Sequence, residues 1–239
     1  MKLLAFDTSG AATSVAVWDD GVVLAEASFV DAENHSTTLM PTIDRLMTEA
    51  GLAPSDLTRI AVAQGPGSYT GLRIAVTAAK TLAFTLGIEV VGVSSLYSIA
   101  ARLGLTADET VMVVPLMNAR RGNVYAAVYE GNAAVLPDQH VALADFLKLL
   151  SADKKLIFTG DAEMFTDEIL AAFPSAEIIT DDLQKMPSAA AMAEISAILP
   201  AASDVHDFNP IYLKKVEAEE KWEAANGAVS DNKKLVSRG

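Results

Sequence analysis

Hydrophobic and polar positions alternate between two periods along this chain, and the switches divide it into two similar halves. Leu3–Phe6 is a short apolar run ending at Asp7-Thr8-Ser9, the pattern of a buried strand meeting a polar corner. Thr13–Trp18 and Val22–Phe29 alternate with period two around Asp19-Asp20-Gly21, which predicts a hairpin. After the polar loop Asp31–His35, the residues Leu39, Met40, Ile43, Leu46, Met47 and Ala50 recur at helical spacing up to Gly51, with Pro41 in the first turn or at a kink. Ile60–Gln64 predicts a strand, Leu72–Leu86 a helix closed by Gly87, Glu89–Val93 a strand, and Ser94 the cap of a helix through Leu103. The second half follows the same plan. Strands are expected at Val111–Met117, Val124–Tyr129, Ala133–Leu136, Lys155–Thr159 and Ala176–Ile179, and helices at Leu143–Leu150, Ala162–Phe173 and Ser188–Leu199. Two successive βββαβαβα-type halves predict an internally duplicated α/β fold.

The organisation expected from this pattern is a first lobe over residues 1–104 and a second over 105–207. Gly104–Thr110 links them, Glu217–Ala225 with Trp222 is expected as a helix within a segment of about 208–225 that, by resemblance to duplicated kinase-like folds, packs back on the first lobe, and 226–239 is a flexible tail. The sharpest turn is Gln64-Gly65-Pro66-Gly67-Ser68-Tyr69-Thr70-Gly71-Leu72-Arg73, where a strand meets a helix. Ser68 and Thr70 are N-cap residue types there. Helix-terminal amides at such a corner can hold a phosphate, but neither specific template fits. Gly71 is followed by Leu72-Arg73 and not Lys-Ser/Thr, and the last glycine of a dinucleotide fingerprint falls on Thr70. A tight corner whose glycines allow close packing is the favoured reading.

Composition narrows the class. A chain of 239 residues, 51% hydrophobic with mean hydropathy +0.29, suits a folded globular protein. No apolar run approaches the roughly 18–20 residues of a membrane span. Zero cysteines exclude thiol catalysis and thiolate metal sites, and with no targeting segment the expected address is the cytoplasm. The net charge is −13, and the basic pairs (Arg120-Arg121, Lys154-Lys155, Lys214-Lys215, Lys233-Lys234) are scattered. Contact with RNA is therefore expected to be indirect, and a basic protein partner is the better fit.

The duplicated layout is similar to that of actin-like ATPases and sugar kinases, a ribonuclease H-like fold whose members grip nucleotide phosphates between two acidic hairpin corners. In this chain the first corner keeps Asp7, with Thr8 and Ser9 beside it, so Asp7, Thr8, Ser9, Gly65 and Gly67 are the candidate remnants of a phosphate site. The second corner carries Asn118 where a metal-binding carboxylate would be expected, and Gly160 is followed by Asp161, a poor neighbour for phosphate. Asp7 is equally well read as a turn residue.

Several motifs resemble one family. Phe6-Asp7-Thr8-Ser9, Asn34-His35-Ser36, Gln64–Arg73, Gly92-Val93-Ser94-Ser95-Leu96, Asn118–Tyr125 and Pro210-Ile211-Tyr212-Leu213 resemble the TsaB (YeaZ) family over residues 2 to about 215. The resemblance implies a non-catalytic paralogue of TsaD, the transferase that places threonylcarbamoyl on N6 of adenosine 37 in tRNAs reading codons that begin with A. It implies pairing with TsaD, TsaE in the larger complex, self-association when alone, tRNA reached only through partners, no membrane, and ATP or ADP only at an interface with TsaD. In TsaD-like sequences two histidines four apart hold the metal; by alignment on the preceding Val-Gly-Val these positions are Ser95 and Ile99, which do not bind metal. His35, His140 and His206 are far apart in sequence, and His35 reads as a capping or surface residue. No Gly-x-Ser-x-Gly elbow supports a peptidase. A sugar-kinase-like phosphotransferase is the alternative reading.

The helices carry the last expectation. Ala75, Val76, Ala79, Ala83 and Leu86 form one stripe for the sheet, while Ile74, Ala78 and Phe84 lie off it. Together with the resemblance, this makes Leu39, Ile43, Met47, Arg73, Ile74, Thr77, Ala78, Thr81 and Phe84 the candidate partner-binding residues.

Overall fold

The computed structural model describes residues 1–30, 34–104 and 110–214. Most of the Gly104–Thr110 link, part of the 31–35 loop, the helix expected over 217–225 and the tail 226–239 lie outside the described residues. The strands of the first half are β1 (Lys2–Asp7), β2 (Ala12–Asp19), β3 (Val22–Val30), β4 (Arg59–Gly65) and β5 (Glu89–Ser94). Its helices are α1 (His35–Glu49), α2 (Tyr69–Leu86) and α3 (Ser95–Ala101). The second half has β6 (Val111–Asn118), β7 (Asn123–Glu130), β8 (Ala133–Ala142), β9 (Lys155–Gly160) and β10 (Glu177–Ile178), with α4 (Leu143–Leu147), α5 (Thr166–Ala172) and α6 (Ala189–Ser196).

These strands form two five-stranded sheets, in the orders β3-β2-β1-β4-β5 and β10-β9-β6-β7-β8. In each, the first three strands are antiparallel and the fourth and fifth run parallel to the first. The two orders are the same read from opposite ends, which is the duplicated ribonuclease H-like plan of actin-like ATPases and sugar kinases. The central strands are buried on both faces and so read as nearly continuous apolar runs. On β1 the alternation sorts the faces. Leu4 and Phe6 pack with α1 and α2, whereas Leu3 and Ala5 join the core shared by the two sheets, α3 and α6. That shared core is rich in small side chains (Ala5, Ala16, Ala61, Ala63, Ala100, Ala193), which lets the helices approach the sheet closely. Phe146 and Phe158 fill a third core in the second lobe. The helix α6 follows the second-lobe strands in sequence but packs on β1 and β2. The Arg59 Nη1 holds its C-terminal end, donating to the carbonyls of Ser196 (2.5 Å) and Leu199 (3.1 Å).

Several expected boundaries move. The first helix starts at His35 rather than Leu39, because the Asn34 carbonyl accepts from both the N–H and hydroxyl groups of Thr37 and Thr38. Pro41 therefore falls inside the helix, past its first turn. The strand expected to stop at Leu136 runs on through Pro137 to Ala142; β8 is an edge strand, where a missing N–H is tolerated. The helix expected over 162–173 splits into a 3-10 turn (Asp161–Phe165) and α5. Among the described residues no helix is long and apolar enough to cross a membrane.

Candidate functional site

The ends of β1 and β6 face one cleft between the lobes, of about 670 Å³, lined among others by Ser9, His35, Ser68, Asn118, Arg120, Tyr125 and Lys214. At the first corner the side chain of Asp7 turns inward and is fully buried. Its Oδ1 accepts from the Ser9 N–H at 2.7 Å, the turn role anticipated for it. Its Oδ2 is buried without a hydrogen-bond partner. Burial pushes this carboxyl above the usual Asp value, against the lowering effect of the Ser9 bond. The Thr8 hydroxyl donates to the Gly71 carbonyl at 2.8 Å, and the Ser9 carbonyl accepts from the Ser68 N–H at 2.7 Å.

Glycine is what permits this closure. A Cβ on Gly71 would sit 2.0 Å from the Thr8 carbonyl oxygen, and one on Gly67 would sit 2.4 Å from that of Ser9. The N-terminus of α2 is thus packed directly onto the β1–β2 corner, and Ser68 caps it by accepting from the Gly71 N–H at 3.3 Å. Gly65 meets a third segment: the Ile211 N–H donates to the Gln64 carbonyl at 2.7 Å, and the Gln64 amide donates to the Asn209 carbonyl at 2.7 Å. The glycines were expected to let β4 and α2 approach each other; instead they admit the first corner and the 209–212 segment. Asp7, Thr8, Ser9, Gly65 and Gly67, the candidate phosphate remnants, are all engaged in this packing.

The second corner closes differently. Asn118 is exposed, and its Oδ1 accepts from the Arg120 N–H at 2.8 Å. Its own N–H donates to the Asp161 carboxylate at 2.8 Å. An aspartate therefore takes the amide that a phosphate oxygen would need, and its charge repels one. Arg120 and Arg121 both have left-handed backbones, with φ of 68° and 54°.

His35 corrects its expected role as a capping or surface residue. It is buried, with Nε2 3.0 Å from the Gly10 carbonyl and Nδ1 2.8 Å from the Thr13 hydroxyl. Since a carbonyl only accepts, Nε2 carries a proton and donates to Gly10, while Nδ1 pairs with the Thr13 hydroxyl. It fastens the start of α1 to the first corner. Ser95 and Ile99, the positions aligned with metal-binding histidines, are buried on α3. Ser94 caps α3 as expected, accepting from the Tyr97 N–H at 3.2 Å. It also donates to Asp138 across the lobe boundary at 2.6 Å, a contact nothing in the local pattern announces. Burial raises the Asp138 carboxyl, and burial pushes Tyr97 up to about 12.

A second concavity, of about 620 Å³, runs between α1 and α2. Leu39, Arg73, Ile74, Thr77, Ala78 and Thr81 line it, as do Ser36, Met40, Tyr69, Thr70 and Leu82, which were not among the candidates. Ile43 and Met47 do not reach it; they are buried in the core beneath. Phe84 is 64% exposed but lies beyond the groove, edge-on to His206 at 5.2 Å. The missed Met40 is 45% exposed. Its signal was present, since Met40 belongs to the apolar set of α1 and lies only about 60° around the helix from the candidate Ile43.

Relatives agree with this geometry. The profile of the family "TsaD: tRNA N6-adenosine threonylcarbamoyltransferase" matches residues 22–222. The chain is 39% identical over 228 residues to the tRNA threonylcarbamoyladenosine biosynthesis protein TsaB of Bacillus subtilis, covering 93% of this chain and 98% of that protein. TsaB of Escherichia coli is 35% identical over 130 residues, 54% of this chain and 55% of that protein. The solved structure of YeaZ from Pseudomonas aeruginosa superposes with a TM-score of 0.75 at 26% identity, over 89% of this chain and 99% of that one. With near full-length identity to one TsaB and the fold of YeaZ, the chain belongs to the TsaB family of tRNA threonylcarbamoyladenosine biosynthesis proteins.

Proposed function

We propose that this chain is a non-catalytic scaffold in tRNA threonylcarbamoylation, and that it pairs with TsaD through the groove between α1 and α2. The observation that carries the reading is the contrast between the two concavities. The cleft that would serve nucleotide chemistry is closed at both corners by the protein's own acceptors, Ser9 and Asp161. The groove presents half-buried Ile74, Ala78 and Leu82 beside exposed Met40 and Tyr69, with Arg73 and the hydroxyls of Thr77 and Thr81 around them. An apolar floor with a polar rim is the anatomy of a protein interface. Ser95 and Ile99 supply core packing where a metal centre would need imidazoles.

A surface used by TsaD is also open to a second copy of this chain, so homodimer and heterodimer compete for it. A nucleotide bound by the assembled complex is then held at an interface and not in this chain's cleft. The test is reconstitution of tRNA modification with TsaD and TsaE, with and without this chain, beside the variant Ala78→Glu/Thr81→Glu. Modification is expected to need the chain and to fall with the variant in parallel with TsaD pairing. Normal pairing and modification by the variant would remove the groove assignment; turnover by the chain alone, or tight Mg-ATP binding by it, would remove the scaffold reading.

A further inference from the structure

The chain carries 31 acidic against 18 basic residues, so a cationic lining departs from its average. Among the described residues, the charged side chains lining the cleft between the lobes are Arg120 and Lys214, with His35 beside them, while Asp161 reaches its edge only as the acceptor for the Asn118 N–H. Its rim continues the pattern. Tyr69 and Tyr212 stack at 5.1 Å between ring centres with 28° between planes, and both are about two-fifths exposed. The Arg73 guanidinium lies 4.5 Å from the centre of the Tyr69 ring, and its Nε donates to the Tyr212 hydroxyl at 3.4 Å. These groups sit on fixed elements. Tyr69 opens α2, Tyr212 follows the Ile211–Gln64 backbone bond, and Arg120 is set by its bond to Asn118.

We infer that this edge (Tyr69, Arg73, Arg120, Tyr212, Lys214) contacts RNA directly, taking an unpaired stretch whose phosphates meet the cations and whose base stacks on the tyrosine pair. A part-exposed tyrosine pair beside cations suits a single strand, because a base must leave its helix to stack on protein. A free mononucleotide is disfavoured by the two corners already closed. The inference rests on the proposed function, since Tyr69 and Thr70 border both cleft and groove, so a TsaD seated in the groove brings its tRNA to this edge. The global charge keeps binding by the isolated chain weak, which places the contact within the assembled complex.

The test measures tRNA affinity of the full chain paired with TsaD over a range of salt, with pairing measured in the same samples. Arg120→Gln/Lys214→Gln is expected to weaken tRNA binding about tenfold or more at low salt and to reduce the slope of log affinity against log salt by about 0.7 for each cation removed. Tyr212→Ala should weaken binding by roughly tenfold with the salt slope unchanged, while Tyr212→Phe keeps wild-type affinity. Pairing with TsaD and melting temperature should stay at wild-type values in all of these variants. Affinities within twofold of wild type throughout would overturn the inference. So would a loss of TsaD pairing that accounts for the loss of tRNA, which would make the edge a protein contact, or ADP binding by the isolated chain that disappears in the same variants. If the wild-type chain does not pair with TsaD at all, the proposed function fails instead, by a separate readout.

Discussion

The two lobes repeat one strand order, yet they treat their first corners in opposite ways. At the end of β1 an aspartate is buried and the corner is sealed by a helix laid on top of it. At the end of β6 an asparagine stays exposed and a neighbouring aspartate seals the amide from outside. The helices diverge too. Those of the first lobe, α1 and α2, have 15 and 18 residues and leave a groove between them, while α4 and α5 have 5 and 7. A duplicated fold need not keep a duplicated function: on the proposed reading, one lobe presents long helices outward while the other supports it.

That division of labour requires the lobes to stand or fall together, because α3, α6 and both sheets share one core. The largest expected effect tests this. Phe146→Ala empties a fully buried site in the second lobe, for a loss of about 3–5 kcal/mol, and Leu46→Ala does the same in the first for about 2–5 kcal/mol. Both should lower a single melting transition followed by circular dichroism or calorimetry. Two separate steps in Phe146→Ala, with TsaD pairing surviving the first, would break the comparison and make the lobes independent units.

A smaller effect sharpens the contrast between the corners. Gly71→Ala places a Cβ against the Thr8 carbonyl, and Gly160→Ala places one 2.4 Å from the Leu116 carbonyl at a φ of 74°. Overpacking of this kind costs about 1–3 kcal/mol. Gly87→Ala, which meets nothing within 4 Å but shares the positive φ of Gly160, isolates the backbone part of the cost at Gly160 and should fall below it. Gly71 is helical without a positive φ, so its loss is steric, and a Gly71→Ala variant as stable as wild type in denaturant titrations would mean that close packing at the first corner contributes little.

Much of this plan was legible in the chain. The apolar run of β1, the alternation in β2 and β7, the Asp-Gly hairpin and the capping residues Ser68, Ser94 and Gly87 are local signals that survive in the fold. What escaped depends on elements distant in sequence. Ile43 and Met47 look available on a helical wheel, but the wheel does not show that the sheet lies under that face. Asp138 lies past the expected strand end at Leu136, and only the extension of β8 as an edge strand brings it to Ser94.

The smallest effect concerns the two corner residues themselves. Asp7→Asn keeps the acceptor for the Ser9 N–H and removes a carboxylate whose other oxygen is buried without a partner. Because burial raises this carboxyl above its unfolded value, the fold favours its neutral form. That contribution is fully present below the unfolded value, near pH 4, and is lost as pH rises through the raised folded value. Wild type is therefore penalised at neutral pH relative to Asp7→Asn, and the advantage of the variant should shrink as pH falls toward 4. Asp138 shifts in the same direction, but it is common to both proteins and cancels in the difference of melting temperatures at each pH. Asn118→Asp, at the exposed corner whose backbone N–H holds Asp161, should instead lose a little stability as pH rises, from repulsion between the new carboxylate and Asp161. A variant Asp7→Asn that is destabilised more at pH 7.5 than at pH 5 would mean that the buried carboxylate is held ionised by a bound cation, and the first corner would then be a working site and not a sealed one.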